Sequence, residues 1–214
     1  MKLTLLTALA VVAGCSGSGA TDNKPIGAEG LELRHTNTCV FGDPKHECPT
    51  SWTAEPVVDP SIMVSADGGG VLLHAAATGT QNYVCESIAD GGTAWTFVGP
   101  EADLIDYRGV LIGHHFASEG GSAAPEWQLD DGTFVIGHKL AQFVPDGGAA
   151  SIPWLLLEAV DHSDGGVLAE ATYVQRLNTN GGSAPATGCA LPTDVGSQVL
   201  VPYTADYYFY HPTE

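Results

Sequence analysis

The stretch SQVLVPYTADYYFYH, residues 197–211, alternates with a period of two. Val199, Val201, Tyr203, Ala205, Tyr207 and Phe209 fall on one face; Leu200, Thr204, Asp206, Tyr208 and Tyr210 fall on the other. That period belongs to a β-strand, whose successive side chains point to opposite sides of the pleat. The first face is apolar enough to line a core. The second is rich in tyrosine and is expected to be partly covered or to present a platform.

Working outward from this strand, nothing sustains a helical apolar pattern over three turns. Short runs such as VLLHAAAT, AWTFV, VLIGHHF and PWLLLEAV lie between clusters of Gly, Asp, Asn and Pro, as strands do. Asp-Gly steps recur at Asp67, Asp90, Asp131, Asp146 and Asp164. They suit tight hairpin turns, because glycine accepts positive φ without steric cost. Their uneven spacing makes them turns, not a repeat. The expected fold is all-β, an antiparallel sandwich or barrel with tight Asp-Gly hairpins and little, short helix.

The N-terminus opens MKLTLLTALAVVAGC. One charge, Lys2, precedes an apolar run too short to span a bilayer, the layout of an export signal. Val12-Ala13-Gly14-Cys15 resembles the lipobox of bacterial lipoproteins, in which the cysteine is acylated. This predicts a signal over residues 1–14, a lipidated and palmitate-bearing Cys15, and attachment to a membrane through it. Ser16, where an aspartate would signal retention, points to the outer membrane. Residues 15–55 are read as a flexible tether with a small Cys39/Cys48 loop, and 56–214 as a single β domain.

The chain carries 25 Asp and Glu against seven Lys and Arg, for a formal net charge of −18. Nucleic acid is excluded as a partner, since binding it needs basic groups. Four cysteines remain beside Cys15: Cys39, Cys48, Cys85 and Cys189. Export favours two disulfides over free thiols. Of the three pairings, Cys39–Cys48 with Cys85–Cys189 is preferred. His35, Cys39, His46 and Cys48 lie close enough in sequence to keep a zinc alternative open.

Motifs for chemistry are scarce. There is no Gly-x-Ser-x-Gly elbow, P-loop, His-Glu-x-x-His or dinucleotide fingerprint, so no cofactor is expected. DHSDGG (161–166) lacks the later calcium ligands and reads as a hairpin turn. His114 and His115 must point to opposite faces of a strand, so only one can serve a site, with His138 a candidate partner across the sheet. Trp95 and Trp154 sit in apolar runs and are expected in the core; Trp127, near a turn, is expected to be the exposed ring. Arg176 shares a strand face with Thr172 and Val174, within reach of acids such as Asp206 or Glu170. The following NTNGGSAPATGC reads as a turn closed by Cys189.

The segments GTQNYVC, AWTFVGPEADLID, GVLIGHHF, PEWQLDDGT, IPWLLLEAV, YVQRLNTNGG, APATGC and VPYTADYYFY occur in that order. Together, from about Val64 to His211, they resemble the exported family called domain of unknown function 3455. The resemblance implies secretion, a mostly-β fold and retention of both Cys85 and Cys189, supporting a bridge between them. It supplies no activity and no catalytic residues. The family's steps match as His115-Phe116, Pro125-Glu126-Trp127 and Gln175-Arg176. The stretch ASEGGSAA (117–124) lengthens the spacing between the first two beyond the family's usual distance.

No nucleophile–base pair is legible, so the first expectation is a lipid-anchored, non-catalytic envelope domain that binds something or is structural. The second is an enzyme or metal-dependent binder centred on His115, with Trp127 and Arg176 holding a small or glycan ligand. The third is a module that binds an envelope protein through the Tyr208 and Tyr210 face.

Overall fold

Eight strands follow one another, each antiparallel to the next, in a computed structural model that describes residues 49–65, 68–119, 124–147 and 150–212. They are β1 (Val71–Ser87), β2 (Thr93–Ile105), β3 (Leu111–Ala117), β4 (Pro125–Leu129), β5 (Phe134–Phe143), β6 (Trp154–His162), β7 (Tyr173–Gly181) and β8 (Gln198–Tyr210). The last strand pairs back onto the first, from Val71 opposite Tyr210 to Val84 opposite Gln198, so the hydrogen-bonded ring closes as a barrel. Of the two all-β architectures the alternation allowed, this is the barrel. Cys15, Cys39, Cys48, His35 and His46 lie outside the described residues, as do the signal and most of the tether.

Three hairpin turns share one scheme. In Ile88–Gly92, Asp106–Val110 and Leu129–Thr133, the fourth residue donates its N–H to the first carbonyl (3.0, 2.9 and 2.9 Å). That fourth residue is a glycine with φ of 81°, 78° and 85°, a left-handed conformation that a side chain would strain. Only the Asp90 and Asp131 steps make tight hairpins of this kind. Asp146 and Asp164 sit in longer connections, and Asp67 lies outside the described residues. The DHSDGG stretch is not a simple hairpin: it leads through Gly166 into a short 3₁₀ turn, Val167–Glu170.

An up-and-down ring places alternate connections at opposite ends. At one end Leu73, Leu104, Leu129, Val135, Val174 and Phe209 fill the interior, and Leu168 of the 3₁₀ turn closes it, fully buried. Toward the other end lie the longer connections after β3, β5 and β7. There Cys85 bonds Cys189 across a separation of 104 residues, tying β1 to the β7–β8 connection.

The tyrosine-rich outer face of β8 is covered by the chain itself. Trp52, in a short helix (Thr50–Thr53) within the stretch read as tether, stacks on His74 at 3.8 Å, and His74 stacks on Tyr208 at 4.1 Å. Downstream, Ile62 is wholly buried against a second cluster with Val71, Leu156, Leu177, Tyr208 and Tyr210. Buried Gln175 donates to the Ile62 carbonyl and accepts from the Tyr210 hydroxyl, both at 2.6 Å. Tyr208 and Tyr210 are therefore no open platform, being 8% and 3% exposed.

Because the Cys85–Cys189 link restricts a long loop of the unfolded chain, Cys85→Ser/Cys189→Ser is expected to lose about 2–5 kcal/mol of stability. Urea unfolding of the variant, compared with oxidised and reduced wild type, measures it; equal midpoints would show that the link adds nothing.

Candidate functional site at the open end of the barrel

Where the aliphatic packing stops, the interior opens into a cavity of about 310 Å³. Its wall draws on nearly every strand, including Gln81 and Tyr83 from β1, His115 from β3, Trp127 from β4, Lys139 from β5, Leu155 and Leu157 from β6, Arg176 from β7 and Tyr207 from β8. The three residues singled out in the sequence, His115, Trp127 and Arg176, thus line one space.

The first two meet by register. His115 lies directly opposite Trp127 in the β3–β4 pair, and their rings stack at 4.5 Å with only 6° between planes. The longer connection does not separate them: the Ser118 N–H bonds the Ala124 carbonyl at 2.8 Å and closes the hairpin below the insertion. Tyr207 packs edge-on against both rings, at 5.0 and 5.3 Å.

Trp127 corrects the expectation of an exposed ring, for it is 1% exposed. Inward parity on β4, not proximity to a turn, decides its place. Gly137 faces it so closely that a Cβ there would come within 3.0 Å of the indole. Trp95 and Trp154 are corrected in the other sense. Both are only half-buried: Trp95 sits at the rim and donates to the Thr187 carbonyl at 3.1 Å, while Trp154 packs with Phe143 on the outer cluster. Their runs are apolar, but strand ends and outer faces are not core.

His115 is 2% exposed, and its Nδ1 donates to the Glu126 carbonyl at 2.8 Å. That bond fixes the tautomer and leaves Nε2 as an acceptor. Burial depresses its pKa to about 3, against the pull of the Glu126 bond and with the Arg176 charge adding to the fall. The imidazole is neutral throughout the physiological range. His138 does not join it, since that side chain is exposed. His114 points away, its Nδ1 3.1 Å from a carboxylate oxygen of Asp103, both side chains more than half exposed. Among the described residues no cluster of three or more His, Cys, Asp or Glu is placed to hold a metal ion.

Arg176 follows the strand parity read from the sequence and turns inward beside Val174. No acid claims it. Its Nε and Nη2 donate to the Pro153 carbonyl at 3.2 and 2.9 Å, while Asp206 instead bonds His74 and Asn178. Two further N–H donors on the cavity wall, Gln81 Nε2 and Trp127 Nε1, are buried without a well-formed hydrogen bond among the described residues, having only loose contacts with the Tyr203 and Tyr207 hydroxyls. Gln81 went unnoticed in the sequence, although its inward position between Ala77 and Tyr83 on β1 becomes visible once the parity of that strand is fixed. Lys139 also went unnoticed, although it shares the inward parity of Val135 and Gly137 on β5; the register shift between Lys139 and Ala141 comes after it.

No curated protein and no solved structure matches the chain. The family described as Protein of unknown function (DUF3455) matches residues 66–211, a span that contains all eight strands, both bridged cysteines and every cavity residue named above. The chain belongs to that family.

Proposed function

We propose that this protein is a lipid-anchored domain of the bacterial cell envelope whose barrel cavity binds a small molecule without transforming it. One observation carries the reading: buried N–H donors without well-formed hydrogen bonds converge with an apolar wall on a single open cavity. A buried donor left unpaired costs about 1–3 kcal/mol, so a site that holds two of them only loosely has a use for acceptors from outside. The volume stands at the lower end of the roughly 300–1,000 Å³ of small-molecule pockets.

The state of His115 weighs against catalysis there. A general base works best with a pKa near the operating pH, and this imidazole is depressed to about 3. A metal-dependent role lacks a donor set around it among the described residues. A sugar stacked on Trp127 would compete with His115 for the ring face. The anchor rests on the lipobox-like Val12–Cys15 and on the export implied by the cysteines.

The cavity reading is tested by screening a fragment library with ligand-observed NMR against the full chain and Leu155→Trp. Leu155 is only partly buried, so the larger ring is expected to fill the cavity and abolish binding while circular dichroism stays unchanged. Hits that survive the substitution would place the site elsewhere; an empty screen would end the proposal. For the anchor, Cys15→Ala is expected to move the protein from the membrane to the soluble fraction and to abolish palmitate incorporation.

Burial of a neutral His115 also has a pH signature. The unfolded imidazole takes up a proton near pH 6.5, the folded one only near 3. Stability is therefore full above about pH 6.5 and is lost as the pH falls toward 3, by up to about 1.4 kcal/mol per unit. Urea midpoints from pH 7.5 to 4.5 should fall more steeply for wild type than for His115→Gln. Parallel curves would mean that the buried ring is protonated at an ordinary pKa.

A further inference from the structure

The cavity has a charge opposite to that of its protein. Only three Lys or Arg residues occur among the described residues: Arg108, Lys139 and Arg176. Arg108 is bound to Asp106 in a turn, at 2.8 Å. The other two both line the cavity, and no Asp or Glu is among its described lining residues. In a chain with 25 acids, this concentrates uncompensated positive charge in one partly desolvated space. The Arg176 charge reaches deep: it opposes the burial that raises the pKa of Tyr83, Tyr203 and Tyr207, and adds to the burial that lowers that of His115.

We infer that the ligand is a small organic carboxylate, its acid group at Arg176 with the Gln81 and Trp127 N–H donors and its apolar body against Tyr83, Phe97 and Leu155. The inference rests on the small-molecule reading of the cavity and names its chemical class. A carboxylate supplies the negative charge that the cations lack and stronger acceptors than the tyrosine hydroxyls to which the two donors are loosely held. The Pro153 carbonyl holds Arg176 by Nε and Nη2, which presents the remainder of the guanidinium at a fixed angle. Lys139, exposed and bonded to Gln142 at 3.3 Å, stands at the rim. The neutral His115 adds no charge, so Arg176 and Lys139 alone set the preference for an anion.

An inorganic anion fits less well. It would leave the wall of Tyr83, Phe97, Pro100, Leu155 and Leu157 unused and wetted, whereas an acid with an apolar body removes both from water. Phosphate is therefore an arm of the test.

The full chain is titrated calorimetrically with straight-chain acids from acetate to octanoate and aryl acids from benzoate to phenylpropionate. Each acid is matched with its amide, and inorganic phosphate is run beside them. The expected result is binding of at least one acid, at least tenfold tighter than its amide. Arg176→Gln should weaken the acid ten- to a hundredfold and the amide less than twofold, the range for a charge-assisted bond. Since Arg176 also holds Pro153, Lys139→Glu gives a second variant at an exposed position; it too should weaken the acid and spare the amide. Equal affinity for acid and amide overturns the carboxylate assignment and leaves the cavity as a neutral-ligand site. Phosphate binding as tightly as the best acid overturns the organic body. An acid panel that fails while the fragment screen yields neutral ligands sinks this inference alone; failure of both sinks the cavity reading with it.

Discussion

Everything in this structure hangs on the pairing of the last strand with the first. β8 runs antiparallel to β1 along most of their lengths and bonds β7 on its other edge, so neither β1 nor β8 is left as an open edge. Closure also fixes which residues see the interior. With Tyr203, Tyr207 and Phe209 committed inward, Tyr208 and Tyr210 must face out, and the chain covers them with Trp52, Ile62 and their neighbours. The second half of β8 is thus buried on both faces, which explains why its alternation fades into four successive aromatic residues. A strand in that position needs large rings on either side.

The interior is filled unequally, and the cavity follows from that. At the closed end aliphatic side chains meet across the barrel and Leu168 stops it. At mid-height the stacked His115–Trp127 pair and Tyr207 form a floor, whose hydrogen bonding is only partly satisfied. Small residues make room for it: Gly137 lets the indole lie flat against β5, and Gly79 allows β1 to approach β2 so closely that a Cβ would come within 2.1 Å of the Glu101 carbonyl. Above that floor the wall sets donors and cations beside apolar groups such as Leu155 and Leu157. One sheet builds two environments, with strand parity deciding what points in and height along the barrel deciding its polarity.

Much of this was legible in the sequence, and the rest failed for identifiable reasons. The period of two in residues 199–209 gave the strand and its core face correctly, and the same parity put Arg176 on the inward side of β7. The bridge from Cys85 to Cys189 is the pairing that the sequence favours. Trp127 was misplaced because turn proximity was weighed instead of parity, and on a strand of five residues the end and the middle are hardly distinct. The expected ion pair of Arg176 with Asp206 fails because inward and outward side chains cannot meet through a sheet, and Glu170 lies in the 3₁₀ turn at the closed end, away from the cavity that Arg176 lines. The covering of Tyr208 by Trp52 had no sequence signal, since it joins residues far apart in the chain through one stacked histidine.

The contrast between an acidic exterior and a cationic cavity acts as a filter. Exposed carboxylates repel anions at long range, but salt screens them over about 8–10 Å. Arg176, set among buried rings, is screened far less. Large or multiply charged anions meet the exterior and are turned away; a small acid with one charge and an apolar body suffers little of that repulsion and gains the whole of the interior. Reversing the arrangement, with acids inside and bases outside, would attract nucleic acid and anionic lipid to the surface while offering the cavity only to cations. Of the three cations among the described residues, two therefore serve selectivity: both line the cavity, Arg176 set among buried rings and Lys139 at the rim.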